Sequence, residues 1–418
     1  MRARLRDLAL PAGTATVIAL FLSWVGLRSI AFTDYEIEAE PSLFALRAGD
    51  LGGFLDALPA YGGSLVMRSP FAVLPDAWGG GDLALFRSMA APCIAAGALL
   101  GIFFWRRAER LGVGLAGRLA VLGLCAGNPL TLRALEIGHP EELLGAVLCV
   151  AAALAAGAQR PLVAGALLGL AVANKPWAVV AVAPVLIMLP AGRLRALTVA
   201  AGIAAAFLVP LWLLGSSAIA QTQAAASDSG IIFQPWQIWW FLGDHGQVVT
   251  GSFGEKPGFR TPPGWLGAVA RPLVVIVPLA LCLALAGRMR ARVWHDGLLL
   301  LALVLLLRCL LDPWNVVYYP LPFLIALVTW ELHARPGLPV MSIACTLLCW
   351  VTLEQFTRLL SPDLQSVAFL AWSVPVALAL TFRLASPRRF ARLVRPLTAA
   401  FAALRPVQPP PRPRSVPS

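Results

Sequence analysis

Long apolar runs alternate with short polar connections along almost the whole chain. Runs of near-spanning length fall at about 11–30, 85–105, 112–127, 141–158, 161–174, 177–191, 196–214, 264–287, 294–311, 317–332, 338–354 and 365–383. A helix needs roughly 20 apolar residues to cross the hydrocarbon core of a bilayer. The pattern therefore predicts an all-α polytopic membrane protein with about 12 transmembrane helices. Two connections are much longer than the others, about 31–84 and about 215–263. In the first, Leu43–Leu58 carries apolar residues at helical spacing and predicts a helix lying along the interface. Gly62–Leu74 follows, too short to span, and predicts a re-entrant or surface helix. The second holds Trp236, Trp239 and Trp240 within about one turn.

Composition strengthens the membrane reading. Hydrophobic residues make up 59% of the 418 and charged residues 13%, where a soluble domain has about a quarter charged. The net charge of +12 does not point to nucleic acid, because no basic stripe lies beside base-stacking aromatics. The arginines cluster instead between apolar runs (Arg106, Arg107, Arg110; Arg193, Arg195; Arg288, Arg290, Arg292), as cytoplasmic loops require. With both termini cytoplasmic, most basic residues fall inside and most acidic ones outside, and both long loops face outward. The run after Arg2, Arg4 and Arg6 is long enough to span and lacks a clear small-x-small cleavage site, so it predicts a retained first helix. Residues 1–385 form one polytopic membrane domain, and residues 386–418 a basic, Pro-rich cytoplasmic tail that can touch anionic headgroups. Seven cysteines without Cys-x-x-Cys spacing or a neighbouring ligand set predict packing residues, not a disulfide framework or zinc site.

Four polar groups could carry chemistry. In Phe32–Glu40, Asp34, Glu36, Glu38 and Glu40 gather with no cation among them. Thr33 and Glu36 match a capping box, with Asp34 in the first turn, but capping does not explain four acids at one helix mouth. Asp34 is the candidate general base, with Glu36 beside it. Asn128–Glu142 contributes Arg133, Glu136, His139, Glu141 and Glu142 on a short outer connection. His139 and Glu142 either face a substrate pocket or belong to a solvated turn opening a helix. Lys175 is one of two lysines against 31 arginines; it is either a phosphate ligand or an interface anchor beside Trp177. Arg308 and Asp312 precede Trp314, Tyr318 and Tyr319. They form either an intrahelical pair or a phosphate site, since a guanidinium matches phosphate oxygens. There is no phosphate-binding Gly-rich loop and no Ser nucleophile elbow. No ionisable residue sits deep within an apolar run, which disfavours an ion-coupled transporter.

This arrangement resembles the GT-C superfamily of integral membrane glycosyltransferases, most closely the polyprenyl-phosphomannose-dependent mannosyltransferases of glycosyltransferase family 87. The likeness covers about residues 10–385: the 12-helix outline, an acid just after the first helix, surface helices in a long first outer loop, and Ala164–Trp177 (A-G-A-L-L-G-L-A-V-A-N-K-P-W). Asp34 matches the family's catalytic acid, and Asp34-Tyr35-Glu36 its loose D-x-E motif. His139 and Lys175 fall where the family places pocket-lining polar residues. Gly62-Gly63-Ser64 departs from the Tyr/Pro-rich segment common there. The resemblance implies transfer of mannose from a polyprenyl-phosphate donor to a lipid or glycan acceptor hydroxyl on the outer face of the plasma membrane. Inversion is implied, with no cofactor beyond the lipid-linked co-substrate, no required metal, and Lys175, Arg308 or Arg133 holding the phosphate. The rival expectations are a lipid or glycan flippase or exporter, and a non-catalytic scaffold.

Overall fold

The structure, a computed structural model, describes residues 2–26, 34–59, 62–75, 80–214, 220, 233–245, 249–251, 254–288 and 293–393. All twelve apolar runs carry helix where described. The helices are α1 (Arg2–Gly26), α2 (Glu40–Arg47), α3 (Leu51–Asp56), α4 (Gly63–Arg68), α5 (Asp82–Arg110), α6 (Leu115–Ala126), α7 (Pro129–Ile137) and α8 (Glu141–Gly157). They continue as α9 (Pro161–Asn174), α10 (Val182–Met188), α11 (Arg193–Leu214), α12 (Leu266–Ala286), α13 (Val293–Leu311), α14 (Leu321–Ala334), α15 (Val340–Trp350) and α16 (Pro362–Ala385). A small hairpin of β1 (Val249–Gly251) and β2 (Gly254–Lys256) lies in the second long connection, paired antiparallel with Val249 opposite Lys256. Among the described residues, seven helical segments are long and apolar enough to cross a membrane, and shorter apolar helices such as α9 and α14 accompany them.

Several runs are shorter or more divided than the hydrophobic pattern suggests, and prolines and polar punctuation explain why. Asn128 ends α6 and caps α7 by accepting from Leu130 N at 3.0 Å, with Pro129 at the first helical position. Pro176 opens a 3-10 turn (Pro176–Ala181) before α10. The expected single interfacial helix at Leu43–Leu58 is two, α2 and α3. Gly49 sits at φ +77° between them, and Asp50 caps α3 by accepting from Gly53 N at 2.8 Å. Prolines within α5 (Pro92), α11 (Pro210), α12 (Pro272, Pro278) and α16 (Pro375) leave those helices continuous, as neighbouring helices in a bilayer permit.

Burial sorts the helices into centre and perimeter. In the spanning stretch of α13, 83% of residues are buried against 11% in that of α11, so α13 is central and α11 faces outward on most sides. Around α13 pack α14, α10, α12 and α16, and α14 in turn packs on α8. On the other side α8, α9 and α11 form a close row. Gly165 and Gly169 allow it: a Cβ at either would lie 2.3 Å from Ala196 O or 2.7 Å from Ala200 O. This is the small-xxx-small solution to helix packing in lipid, where van der Waals contact replaces the hydrophobic effect. All seven cysteines are free and buried, in keeping with their expected packing role.

The segment holding the three tryptophans is a clamp. Trp239 donates from Nε1 to Leu311 O at 2.7 Å and Trp240 from Nε1 to Asp363 Oδ1 at 2.8 Å. Arg260 adds a two-pronged pair to Asp363 at 2.8 and 2.9 Å. The second connection is thereby pinned to the ends of α13 and α16. The described tail ends at residue 393, and the expectation for the Pro-rich remainder lies outside the described residues.

Candidate functional site

The acidic stretch becomes a site because of one glycine. Helix α7 ends in a Schellman turn: Gly138 N bonds to Ala134 O and Leu135 O, and His139 N to Ala134 O at 2.7 Å. Gly138 holds φ +103°, and a Cβ there would lie 2.5 Å from Tyr35 N. Glycine thus satisfies both the left-handed turn and the close approach of residues 34–35. That approach sets Asp34 Oδ2 2.9 Å from His139 Nε2. His139 Nδ1 lies 2.8 Å from Glu141 Oε1, so the imidazole is bound at both ends by carboxylates.

Glu141 is the hub. Its Oε1 also receives Lys175 Nζ at 3.0 Å, and its Oε2 receives Arg68 Nη2 at 3.1 Å. Asn174 Nδ2 donates to Glu141 O at 2.9 Å, while Asn174 Oδ1 accepts from Ser64 Oγ at 2.9 Å. Arg68 completes its shell with Ser64 Oγ at 3.2 Å and Met89 O at 3.0 Å. Gly63 permits this closure, since a Cβ there would lie 2.2 Å from Ala173 O. Only a glycine at position 63 lets α4 seat against the end of α9.

Asp34, Glu38, Arg68, His139, Glu141 and Lys175 line one cleft, with Tyr35, Phe86 and Met89 as its apolar wall. The cavity volume is about 20 Å³, which admits a guest the size of water. Glu141 is 5% exposed and His139 6%, whereas the Asp34 side chain retains 35% of its exposure. Asp34 is thus where solvent meets a buried ionic chain. Burial, the largest influence on His139, and the Lys175 ammonium both favour the neutral imidazole. The hydrogen bonds to Asp34 and Glu141 outweigh them and hold its pKa at about 9. His139 is therefore a cation at neutral pH. Lys175 is likewise depressed by burial but raised overall by Glu141, Glu142 and Glu38. Three cations, His139, Lys175 and Arg68, face three carboxylates, Asp34, Glu38 and Glu141.

The sequence-derived candidates divide. Asp34, His139 and Lys175 share the cleft. Glu36 does not line it: residues 35–39 are helical, a π-turn, and on a helix Glu38 lies on the Asp34 side while a residue two positions on does not. Of the acids in this stretch, Asp34 and Glu38 line the cleft. Thr33, its capping partner, lies outside the described residues. Arg133 is engaged elsewhere, with Glu136 and with Glu354 Oε2 at 2.9 Å, so it is not a cleft ligand. Arg308 is 2% exposed, held between the rings of Trp177 at 4.5 Å and Tyr319 at 4.1 Å. Its charge partner is Glu142, 3.6 Å away, not Asp312 one turn on. Glu142 itself accepts from Trp177 Nε1 at 3.1 Å. Asp312 caps the following turn by accepting from Trp314 N at 3.0 Å. Arg308 and Glu142, both buried, with the partly buried Asp312 and Tyr319, thus form a second polar layer that does not line the cleft. Tyr318 joins the two layers, with its ring centroid 4.9 Å from that of His139.

Sequence reasoning missed Arg68 as a ligand and Glu141 as the centre. A cation inside Gly62–Leu74, a stretch too apolar to be a solvated loop, was the available signal for Arg68. No family model matches the chain, and neither a characterised protein nor a solved structure is significantly similar to it.

Proposed function

We propose that the protein is a membrane glycosyltransferase, with twelve crossings, both termini cytoplasmic and the cleft facing outward. It moves a sugar, mannose by the GT-C resemblance, from a polyprenyl-phosphate donor to a lipid or glycan hydroxyl. The observation that carries this reading is the 2.9 Å contact between half-exposed Asp34 and buried His139 in a cleft also lined by Lys175. In one displacement the acceptor O–H gives its proton to Asp34, and its oxygen forms a bond to the anomeric carbon. The bond from that carbon to the phosphate oxygen breaks, and the electron pair leaves on the phosphate. Inversion follows.

The charges support this order. Once Asp34 takes the proton, the three cations exceed the remaining carboxylates by one as the phosphate gains negative charge, and Lys175 and Arg68 both line the cleft. Because Asp34 Oδ2 is held by His139, the other oxygen is the one to receive the proton. General-base catalysis of this kind typically contributes 10²–10⁴-fold. The cleft is too small for a hexose as it stands, so binding requires its rim at residues 34–39 to move outward. The test is transfer of radiolabelled mannose from polyprenyl-phosphomannose in proteoliposomes. Asp34→Asn is expected to reduce product by about that factor while the protein stays folded. Turnover at the wild-type rate removes Asp34 from the chemistry, and movement of lipid-linked sugar across the bilayer without product makes the protein a flippase or exporter.

A further inference from the structure

A second cavity lies at the other end of the same helices. The C-terminal end of α5, the C-terminal end of α8, the start of α13 and the end of α14 border an open cleft of about 470 Å³, a volume typical of ligand sites. Phe86 in the Asp34 cleft and Arg107 in this one are 21 positions apart on α5. At 1.5 Å per residue that is roughly 30 Å, the thickness of the hydrocarbon core. The two cavities therefore lie about one hydrocarbon thickness apart along the bundle.

Arg106, Arg107 and Arg110 line the second cavity along one side of α5, with His333 and Trp294 also lining it, and no carboxylate is among the described residues that do so. The acid nearest in sequence, Glu109, is engaged by Arg118. On the far wall His333 Nδ1 donates to Thr329 O at 2.8 Å, and its ring meets Trp294 edge-on at 5.6 Å. Gly157 is the floor, because a Cβ there would fall 1.7 Å from the Trp294 ring. Arginine at a helix C-terminus favours the dipole, but that does not account for a cavity into which three arginines converge. On the outer side of the same stripe, Phe103 is 52% and Leu99 66% exposed, an apolar track leading from the cavity along α5.

The geometry points to a binding site for a phosphate group, held by the Arg106, Arg107 and Arg110 guanidiniums with Trp294 and His333 as its back wall. Charge-assisted, forked guanidinium contacts are the strong ones for this ligand. The source is either an anionic lipid, its chains on Leu99 and Phe103, or a free phosphate. The site stands whether or not the outer cleft transfers sugar.

The test uses the full chain in nanodiscs and native mass spectrometry of retained lipid, with phosphatidylglycerol against phosphatidylcholine, and inorganic phosphate as competitor. Wild type is expected to retain phosphatidylglycerol preferentially, and R106Q/R107Q/R110Q to bind it about tenfold more weakly. The control R160Q/R193Q/R195Q removes equal charge from connections at the same end of the bundle and is expected to retain the lipid. R107Q alone, at an exposed position, repeats the test if the triple variant misfolds. Release by inorganic phosphate identifies the phosphate group itself as sufficient, and persistence against it identifies the lipid as the ligand. Equal retention of both lipids with no inorganic phosphate bound, or equal loss in the control triple, overturns the site.

Discussion

Glu141→Gln tests the hub directly. The substitution keeps shape and volume but removes the charge on which three cations converge, at 2.8 Å (His139), 3.0 Å (Lys175) and 3.1 Å (Arg68). All of this happens in a side chain 7% exposed. Removing one member of a buried ion pair typically costs about 3–5 kcal/mol, because the partner charge is left in low dielectric. Here three partners share the loss, and the new amide turns its own N–H groups toward one of them. Lys175 and His139 relieve part of the strain by giving up protons more readily, since Glu141 raises both. That relief keeps the expected cost near 3 kcal/mol and not at the sum of three pairs. Thermal unfolding in nanodiscs at a fixed scan rate is expected to fall by on the order of 5 °C. The control Glu36→Gln, in the same acidic stretch but off the cleft, is expected to fall within about 0.5 kcal/mol of wild type. An unchanged midpoint for Glu141→Gln, or equal losses in both variants, refutes the hub.

The remaining predictions concern titration and backbone. His139 is raised from 6.5 to about 9, equivalent to about 3 kcal/mol of preferential proton binding by the folded state. That stability is complete below about pH 6.5 and is lost as pH rises through 9, so wild type is expected to lose stability across this window while His139→Gln does not. Histidine-selective NMR with Asp34→Asn is expected to show the His139 pKa falling, and an unmoved value would disconnect the pair. Gly138→Ala is expected to cost more than about 1 kcal/mol, from a left-handed φ and a 2.5 Å clash with Tyr35 N. It should also lower the His139 pKa by separating Asp34 from the ring, and NMR of the folded variant measures this. Gly63→Ala is expected to lift α4 from α9 and detach Arg68 from Glu141, read as a lower unfolding midpoint and as a smaller further loss on adding Glu141→Gln than that substitution causes in wild type.

The order of apolar runs was enough to locate every long helix, because burial in lipid or in the bundle selects for hydrophobicity along the whole segment. It also drew attention to Asp34, His139 and Lys175, since a polar group at the end of an apolar run is rare and visible. What the linear order could not convey is contact between residues about 70 to 105 positions apart. Arg68 and Glu141, or Asp34 and His139, meet only because Gly63 and Gly138 let backbone approach backbone. A missing Cβ leaves no pattern in hydropathy. Nor could it distinguish Arg308 from Lys175, both cations near helix ends. Packing decided that one is sealed between Trp177 and Tyr319 while the other lines the cleft. The same holds for Glu36 and Glu38, two positions apart in an acidic stretch, which helical geometry sends to different sides.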